Sequence, residues 1–273
     1  MTESNYGGKE NITLPTTEQV ILIAKEAGLI LEGFFESKNF DIAPKSGGID
    51  VLTEADTKVD VLVRKRLSEQ FPNADILTEE TSKGDYMHLK DSSDLWIVDP
   101  LDGSINFSRN NPHFGIAIGY VQKGNIKLAV AHLPMKDETY WAQESVEGAF
   151  FNGKKIQVSK TNDLKSMVIS CDWSNNPEAR KKLLDILGKV SSQTRRIKCS
   201  GSPVADLCLL ARGNIDAYIH PRLRPWDVTP AYIAQKAGAT VTTLENKAWN
   251  VFNLDILATN EALHNELSTL ISL

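Results

Sequence analysis

At 273 residues, with 41% apolar and 24% charged side chains, the chain can build one large domain or two closely packed ones. A formal net charge of -5 argues against a nucleic-acid partner held by bulk positive charge. No apolar run approaches the roughly 20 residues that span a bilayer, so no membrane partner is expected.

The polar, acid-bearing start MTESNYGGKEN resembles neither a secretory signal nor a transit peptide, and a cytoplasmic location is expected. Thr16 or Thr17 is positioned to cap a helix carrying Val20, Ile23, Ala24, Ala27, Ile30, Leu31 and Phe34 at helical spacing. The loop KSGGID, from Lys45 to Asp50, follows. Asp56 then stands near the start of a second helix with Val59, Leu62, Val63 and Leu67 on one face, stopped by Pro72-Asn73. A short strand, Asp75 to Thr78, runs into Glu79-Glu80. After a polar linker from Ser82 to Asp94, the strand Leu95 to Val98 opens the stretch WIVDPLDGSINF.

Glycine-punctuated strands come next: GIAIGYVQKG, NIKLAVAHLP and ETYWAQ, with a hairpin at Lys123-Gly124-Asn125. Residues 1–155 thus predict an α+β half, an antiparallel sheet with helices on one side. Residues 156–273 alternate strand and helix: strand MVISC, a helix after Pro177, a strand near Arg196 to Cys199, and a helix from Ser202 to Arg212. The strand IDAYI, a helix beginning near Trp226-Asp227, the strand Asp255 to Ala258 and a last helix complete an α/β half.

Three cysteines, Cys171, Cys199 and Cys208, without CxxC spacing, suit a reducing compartment and read as small packing residues. The histidines, at 88, 113, 132, 220 and 264, form no metal-binding cluster.

Acid recurs where apolar segments end: Asp56, Glu79-Glu80, Asp99 with Asp102, and Asp227. Each alone reads as a cap, a turn or a solvated group. Together they would crowd one sheet edge and repel unless cations neutralise them, and an all-oxygen set favours Mg²⁺ over Zn²⁺. Asp99 and Asp102, with Pro100 fixing the backbone between them, can face one ion, and the Leu101 carbonyl can point the same way. Such a set suffices for two or three ions in phosphoryl displacement. A short helix after Gly103 would offer backbone N–H groups to phosphate, and Ser104, with Asp56 behind it, could handle the proton of an attacking water.

LTEET, WIVDPLDGSINF and PWDVTPAYIAQKAGA, in this order and spacing, resemble the inositol monophosphatase family, part of the magnesium-dependent, lithium-sensitive phosphatase superfamily. The resemblance implies a layered α-β-α-β-α sandwich, usually dimeric. It implies Glu79, Asp99, the Leu101 carbonyl, Asp102 and Asp227 as magnesium ligands, with the last of these in the C-terminal half. Ser104 and Asp56 would activate water, Glu80 would support the metal site, and Gly103 and Ser104 amides would hold phosphate. Lys45 would belong to a mobile loop, and Gly201-Ser202 would offer backbone groups to substrate.

Thr78 replaces a frequent glycine of the family and Ser104 its usual threonine. His220 stands seven residues before Asp227, where animal members carry a glutamate that binds inositol hydroxyls, and Arg222 and Arg224 add positive charge nearby. The expected function is a Mg²⁺-dependent phosphomonoesterase acting on inositol monophosphate or a related polyol or sugar phosphate. The alternatives are fructose-1,6-bisphosphatase activity, 3′-phosphoadenosine 5′-phosphate hydrolysis and a non-catalytic phosphate-binding regulator. The arginines suit the first of these, because guanidinium groups bind a second phosphate bidentately.

Overall fold

The computed structural model describes residues 15–39, 41–44, 51–82 and 84–272. Lys45 and its loop lie outside these. Helix α1 (Thr17–Ser37) starts on a capping box, with Thr16 and Gln19 each accepting from the other's backbone N–H. A two-stranded antiparallel ribbon, β1 (Ile42–Pro44) and β2 (Val51–Thr53), leads into α2 (Glu54–Gln70), which has its own box between Thr53 and Asp56.

A seven-stranded sheet follows: β3 (Asp75–Thr78), β4 (Leu95–Asp102), β5 (Gly115–Gln122), β6 (Asn125–Leu133), β7 (Glu138–Gln143), β8 (Ala149–Phe151) and β9 (Lys154–Ile156), side by side in that order. The short helix α3 (Ser104–Ser108) leaves the end of β4. The sheet is mixed, because β3 runs parallel to β4 while the other pairs are antiparallel.

Residues alternate between two cores. Trp96, Val98, Ile116, Ile118, Leu128 and Val130 face α1 and α2, and Leu95, Ile97, Ala117, Ala129 and Ala131 face the opposite way. Helices therefore cover both faces, not one as the sequence suggested. The cause is plain in the strands themselves, which are apolar on both sides and bury both.

The remaining elements are β10 (Val168–Cys171), α4 (Pro177–Val190), β11 (Arg196–Cys199), α5 (Pro203–Ala211), β12 (Ala217–His220), α6 (Ala231–Lys236), β13 (Ala239–Thr242), β14 (Ile256–Asn260) and α7 (Glu261–Ser272). Their sheet has the order β11-β10-β12-β14-β13, parallel across the first three strands and antiparallel beyond. Helices α5 and α6 pack between the two sheets in one core, and α4 and α7 cover the outer face of the second sheet in another. The layers run α-β-α-β-α. Helix α6 begins at Ala231, so Trp226 and Asp227 sit in the turns ahead of it rather than in its first turn. No helix among the described residues is long and apolar enough to cross a membrane.

Candidate active site

The site starts from an irregularity in β4. Asp99 pairs with Ala117 and Asp102 with Gly115, so β4 carries one residue more than β5 across this step. In a regular strand, residues three apart point to opposite faces. The bulge cancels that alternation, and Pro100, which has no N–H for the ladder, is suited to it. The Leu101 N–H donates to Asp99 Oδ1 at 3.1 Å, closing the turn. Asp99 and Asp102, both buried, thereby meet Asp227 from the β12–α6 connection, with one carboxylate oxygen from each lying within 4.8 Å of the others.

Each of these acids is held in place. Asp102 Oδ2 accepts from the Ser202 hydroxyl and from the Val204 N–H at 3.0 Å. Asp227 Oδ2 accepts from the Arg224 N–H at 2.7 Å. Glu79 follows β3, its N–H donating to the Val98 carbonyl at 3.3 Å, and its residue lines the same cavity. Thr78 stabilises this turn by accepting from the Thr81 N–H at 3.1 Å. Glu80 is half-buried beside Glu79 but does not line the cavity.

Burial pushes the Asp102 carboxyl well above its usual range, opposed by the Ser202 hydrogen bond and reinforced by the negative charge of Asp227 and Asp172. Crowded, buried, oxygen-only donors fit a hard divalent cation.

Asp56 and Ser104 come from different elements. Asp56, buried in the first turn of α2, accepts at Oδ2 from the Thr53 N–H at 2.8 Å and from the Thr53 hydroxyl. Its Oδ1 lies 3.1 Å from the Ser104 hydroxyl, which also lies 3.0 Å from the Leu101 carbonyl. Gly103, between strand and helix, has φ 85°, a conformation that favours glycine. A Cβ there would come within 3.1 Å of the His113 carbonyl and 3.2 Å of the Gly201 carbonyl.

A cavity of about 790 Å³ opens over these groups, lined by Glu79, Asp99, Leu101, Asp102, Gly103, Ser104, Gly201, His220, Arg222, Arg224 and Asp227 among others. Ser202 does not line it. Its side chain is fully buried, and its hydroxyl caps α5 by accepting from the Ala205 N–H at 3.2 Å while holding Asp102. His220 is also buried, and this pushes its imidazole down to about 3, so it is neutral. Its Nδ1 accepts from the Arg222 N–H at 3.0 Å, which leaves the hydrogen on Nε2. The arginine side chains are exposed on the cavity wall, and neither is ion-paired among the described residues.

Several lining residues went unread in the sequence. Asp172, just beyond β10, is buried, and burial lifts its carboxyl to about 6. Trp173 is 46% exposed at the rim, with the Arg180 guanidinium 5.3 Å from its ring centroid. Asn106 stood inside the quoted motif, yet its task was not apparent. Its Nδ2 donates to the His113 and Ser200 carbonyls, both at 2.8 Å, tying α3 to the loop before α5. Cys199 also lines the cavity and is exposed, contrary to the packing role expected of it, whereas Cys171 and Cys208 are buried.

The profile of the inositol monophosphatase family matches residues 14–272. The chain belongs to the inositol monophosphatase family. A fructose-1,6-bisphosphatase/inositol-1-monophosphatase of Thermotoga maritima is 33% identical over 234 residues, 83% of this chain and 84% of its own length. The inositol-1-monophosphatase of Bacillus subtilis is 31% identical over 246 residues, 89% of this chain and 91% of its own. Among solved structures, the extragenic suppressor protein suhB of Bartonella henselae superposes with a TM-score of 0.84 at 28% identity, covering 93% of this chain and 97% of that one. This member of the inositol monophosphatase family is a phosphoric monoester hydrolase.

Proposed function

We propose that the enzyme hydrolyses inositol monophosphate or a related polyol or sugar phosphate with two or three Mg²⁺ ions. The observation that carries this reading is the meeting of Asp99, Asp102 and Asp227 within 4.8 Å, beside the Asp56–Ser104 pair. Asp99, Asp102, Asp227, Glu79 and the Leu101 carbonyl would hold the metal, with Glu80 in support. When bound, magnesium neutralises phosphate charge and makes water a nucleophile near neutral pH.

The chain's own residues do the rest. Asp56 holds the Ser104 hydroxyl, and the pair takes up the proton of the water that attacks phosphorus in line. The amides of Gly103 and Ser104 face the phosphate, and their orientation is set by the positive φ of Gly103. The Nε2–H of His220 offers one neutral donor to a substrate hydroxyl, in place of an acidic acceptor. Gly201 presents backbone groups to the substrate. On this reading the enzyme is a cytoplasmic homodimer.

A second reading, fructose-1,6-bisphosphatase activity alone or combined, is favoured by one observation. Arg222 and Arg224 line the cavity without an ion-pair partner among the described residues, and guanidinium groups suit a second phosphate. The relative from Thermotoga maritima bears both activities in its name.

Phosphate release from inositol 1-phosphate, with Mg²⁺ and with chelator, tests the primary reading alongside Asp99→Asn and Asp227→Asn. Release should require Mg²⁺ and nearly vanish in both variants. Wild-type turnover in either variant would refute the metal assignment. Comparing kcat/KM on fructose 1,6-bisphosphate ranks the two readings.

A further inference from the structure

Strands β10 and β11 run parallel, and their last residues, Cys171 and Cys199, are paired in register. Register partners in neighbouring strands project to the same face. Strands lie about 4.7–4.9 Å apart, within the Cα separation of about 4.4–6.8 Å that a disulfide accepts. Cys171 and Cys199 thus stand side by side at the same end of the sheet.

Their surroundings differ. Cys171 is buried, and its S–H donates to the Lys198 carbonyl at 3.3 Å. Cys199 is exposed to the catalytic cavity on the edge strand of its sheet, 3.8 Å from Asp172 Oδ1. The neighbouring Cys171 lowers the Cys199 thiol, against burial and the nearby Asp172 and Asp206 charges, while Cys199 and burial raise the Cys171 thiol, so Cys199 is the one that ionises first.

We propose that Cys199 and Cys171 form a thiol–disulfide exchange site that takes low-molecular-weight disulfides and, once cross-linked, slows turnover. Cys199 gives up its proton, attacks one sulfur of the small disulfide and displaces one thiolate. Cys171 then gives up its proton and attacks Cys199 Sγ, displacing the second thiolate. Two protein thiols are oxidised, and the small disulfide is reduced to two thiols that take up the two protons.

The route from this bond to catalysis is short. Cys199 leads directly into Ser200-Gly201-Ser202. Ser200 is held by Asn106 at 2.8 Å, Gly201 packs against Gly103, and Ser202 donates to Asp102. Drawing the sulfurs together shifts this loop against the phosphate turn and an acid of the metal cluster. Displacements of about 1 Å at such places cost up to roughly a hundredfold in rate. The effect on turnover rests on the proposed roles of those residues, whereas formation of the bond does not.

The test incubates the purified protein with oxidised glutathione, maps cysteine peptides by mass spectrometry, and then measures Mg²⁺-dependent phosphate release. A Cys171–Cys199 cross-linked peptide is expected, with kcat/KM reduced roughly 10- to 100-fold and restored by dithiothreitol. Cys208→Ser should behave as wild type, whereas Cys199→Ser and Cys171→Ser should yield no cross-link. Cys199→Ser should also hold its own untreated rate through oxidation. Absence of the cross-linked peptide under fully oxidising conditions would overturn the exchange site. A cross-linked protein with unchanged kcat/KM would overturn its control of turnover.

Discussion

Asp56 and Ser104, 48 residues apart, meet through a carboxylate whose two oxygens face different ways. Oδ2 closes the capping box of α2 with Thr53, and Oδ1 receives the Ser104 hydroxyl. The cap fixes the side chain that in turn fixes the serine. A helix start and the proposed proton-handling pair thus share one group.

That sharing makes Asp56→Asn informative. An amide has one acceptor oxygen, so it can serve the cap or Ser104, but not both. Asp56→Asn and Ser104→Ala should each lower kcat by roughly 10²- to 10⁴-fold, the usual contribution of a positioned proton acceptor. The double variant should cost little more than the worse single one, because the pair acts as a unit. Ser104→Thr should keep substantial activity. Fully additive losses in a kinetic double-mutant cycle would show that the two residues act separately.

Arg222 and Arg224 give a prediction about selectivity. Arg222→Ala or Arg224→Ala should lower kcat/KM for fructose 1,6-bisphosphate by roughly tenfold or more, the scale of one lost hydrogen bond to a charged group. Inositol 1-phosphate should be nearly unaffected. Equal losses on both substrates, or none on either, would remove the second-phosphate reading. Arg180→Ala serves as a comparison, since its guanidinium is engaged with the Ser174 carbonyl and the Trp173 ring, whereas Arg224 reaches only the Tyr86 hydroxyl among the described residues, at 3.3 Å.

Gly28 in α1 sets helix propensity against packing. Alanine would gain up to about 1 kcal/mol in an open helix interior. Here its Cβ would sit 2.7 Å from Cδ2 of the buried His132 and 3.4 Å from Pro134. The imidazole is held by Thr139 at 3.0 Å and cannot simply swing away. Overpacking of this kind costs about 1–3 kcal/mol, so Gly28→Ala should destabilise the protein, as measured by urea unfolding. A higher midpoint with an unchanged slope would contradict it.

His132 also predicts a pH dependence. Burial, aided by Lys25, pushes it from 6.5 down to about 4 in the folded protein. Stability from the neutral imidazole is complete above 6.5 and drains as pH falls towards 4, because the unfolded chain takes up the proton first. In that window the loss from this group approaches about 1.4 kcal/mol per pH unit. His132→Gln should flatten the dependence of unfolding free energy by that amount. NMR titration should find its ring still neutral at pH 5.5, and a midpoint near 6.5 would refute the shift.

The meeting of acids was partly legible in the sequence because Asp99, Leu101, Asp102 and Ser104 sit in one local run. Capping boxes carry local signals too, and Thr16 announced α1. Asp172, Trp173, Arg180 and Cys199 were not legible, since they join the cavity only when the two sheets are assembled and the ends of β10 and β11 and the start of α4 come to line it together with the end of β4. The parallel placement of β3 is another product of tertiary packing. Helices on both faces were readable in principle. GIAIGYVQ and NIKLAVAHL lack the polar alternation of a strand with one wet face, and the glycines and alanines among them obscured that signal.

The bulge in β4 makes the cluster a question of parity. Asp99 and Asp102 converge because the strand between them holds one residue more than its neighbour, whatever that residue's side chain. Exchanging Leu101 for another residue keeps the count. Deleting it would turn Asp102 or Asp99 to the opposite face of the sheet and dismantle the cluster while leaving every carboxylate in the chain. Substitutions can drift across this segment under ordinary constraints of size and polarity, whereas a single-codon deletion crosses from one face of the sheet to the other. What this enzyme inherits at its centre is a number as much as a set of side chains.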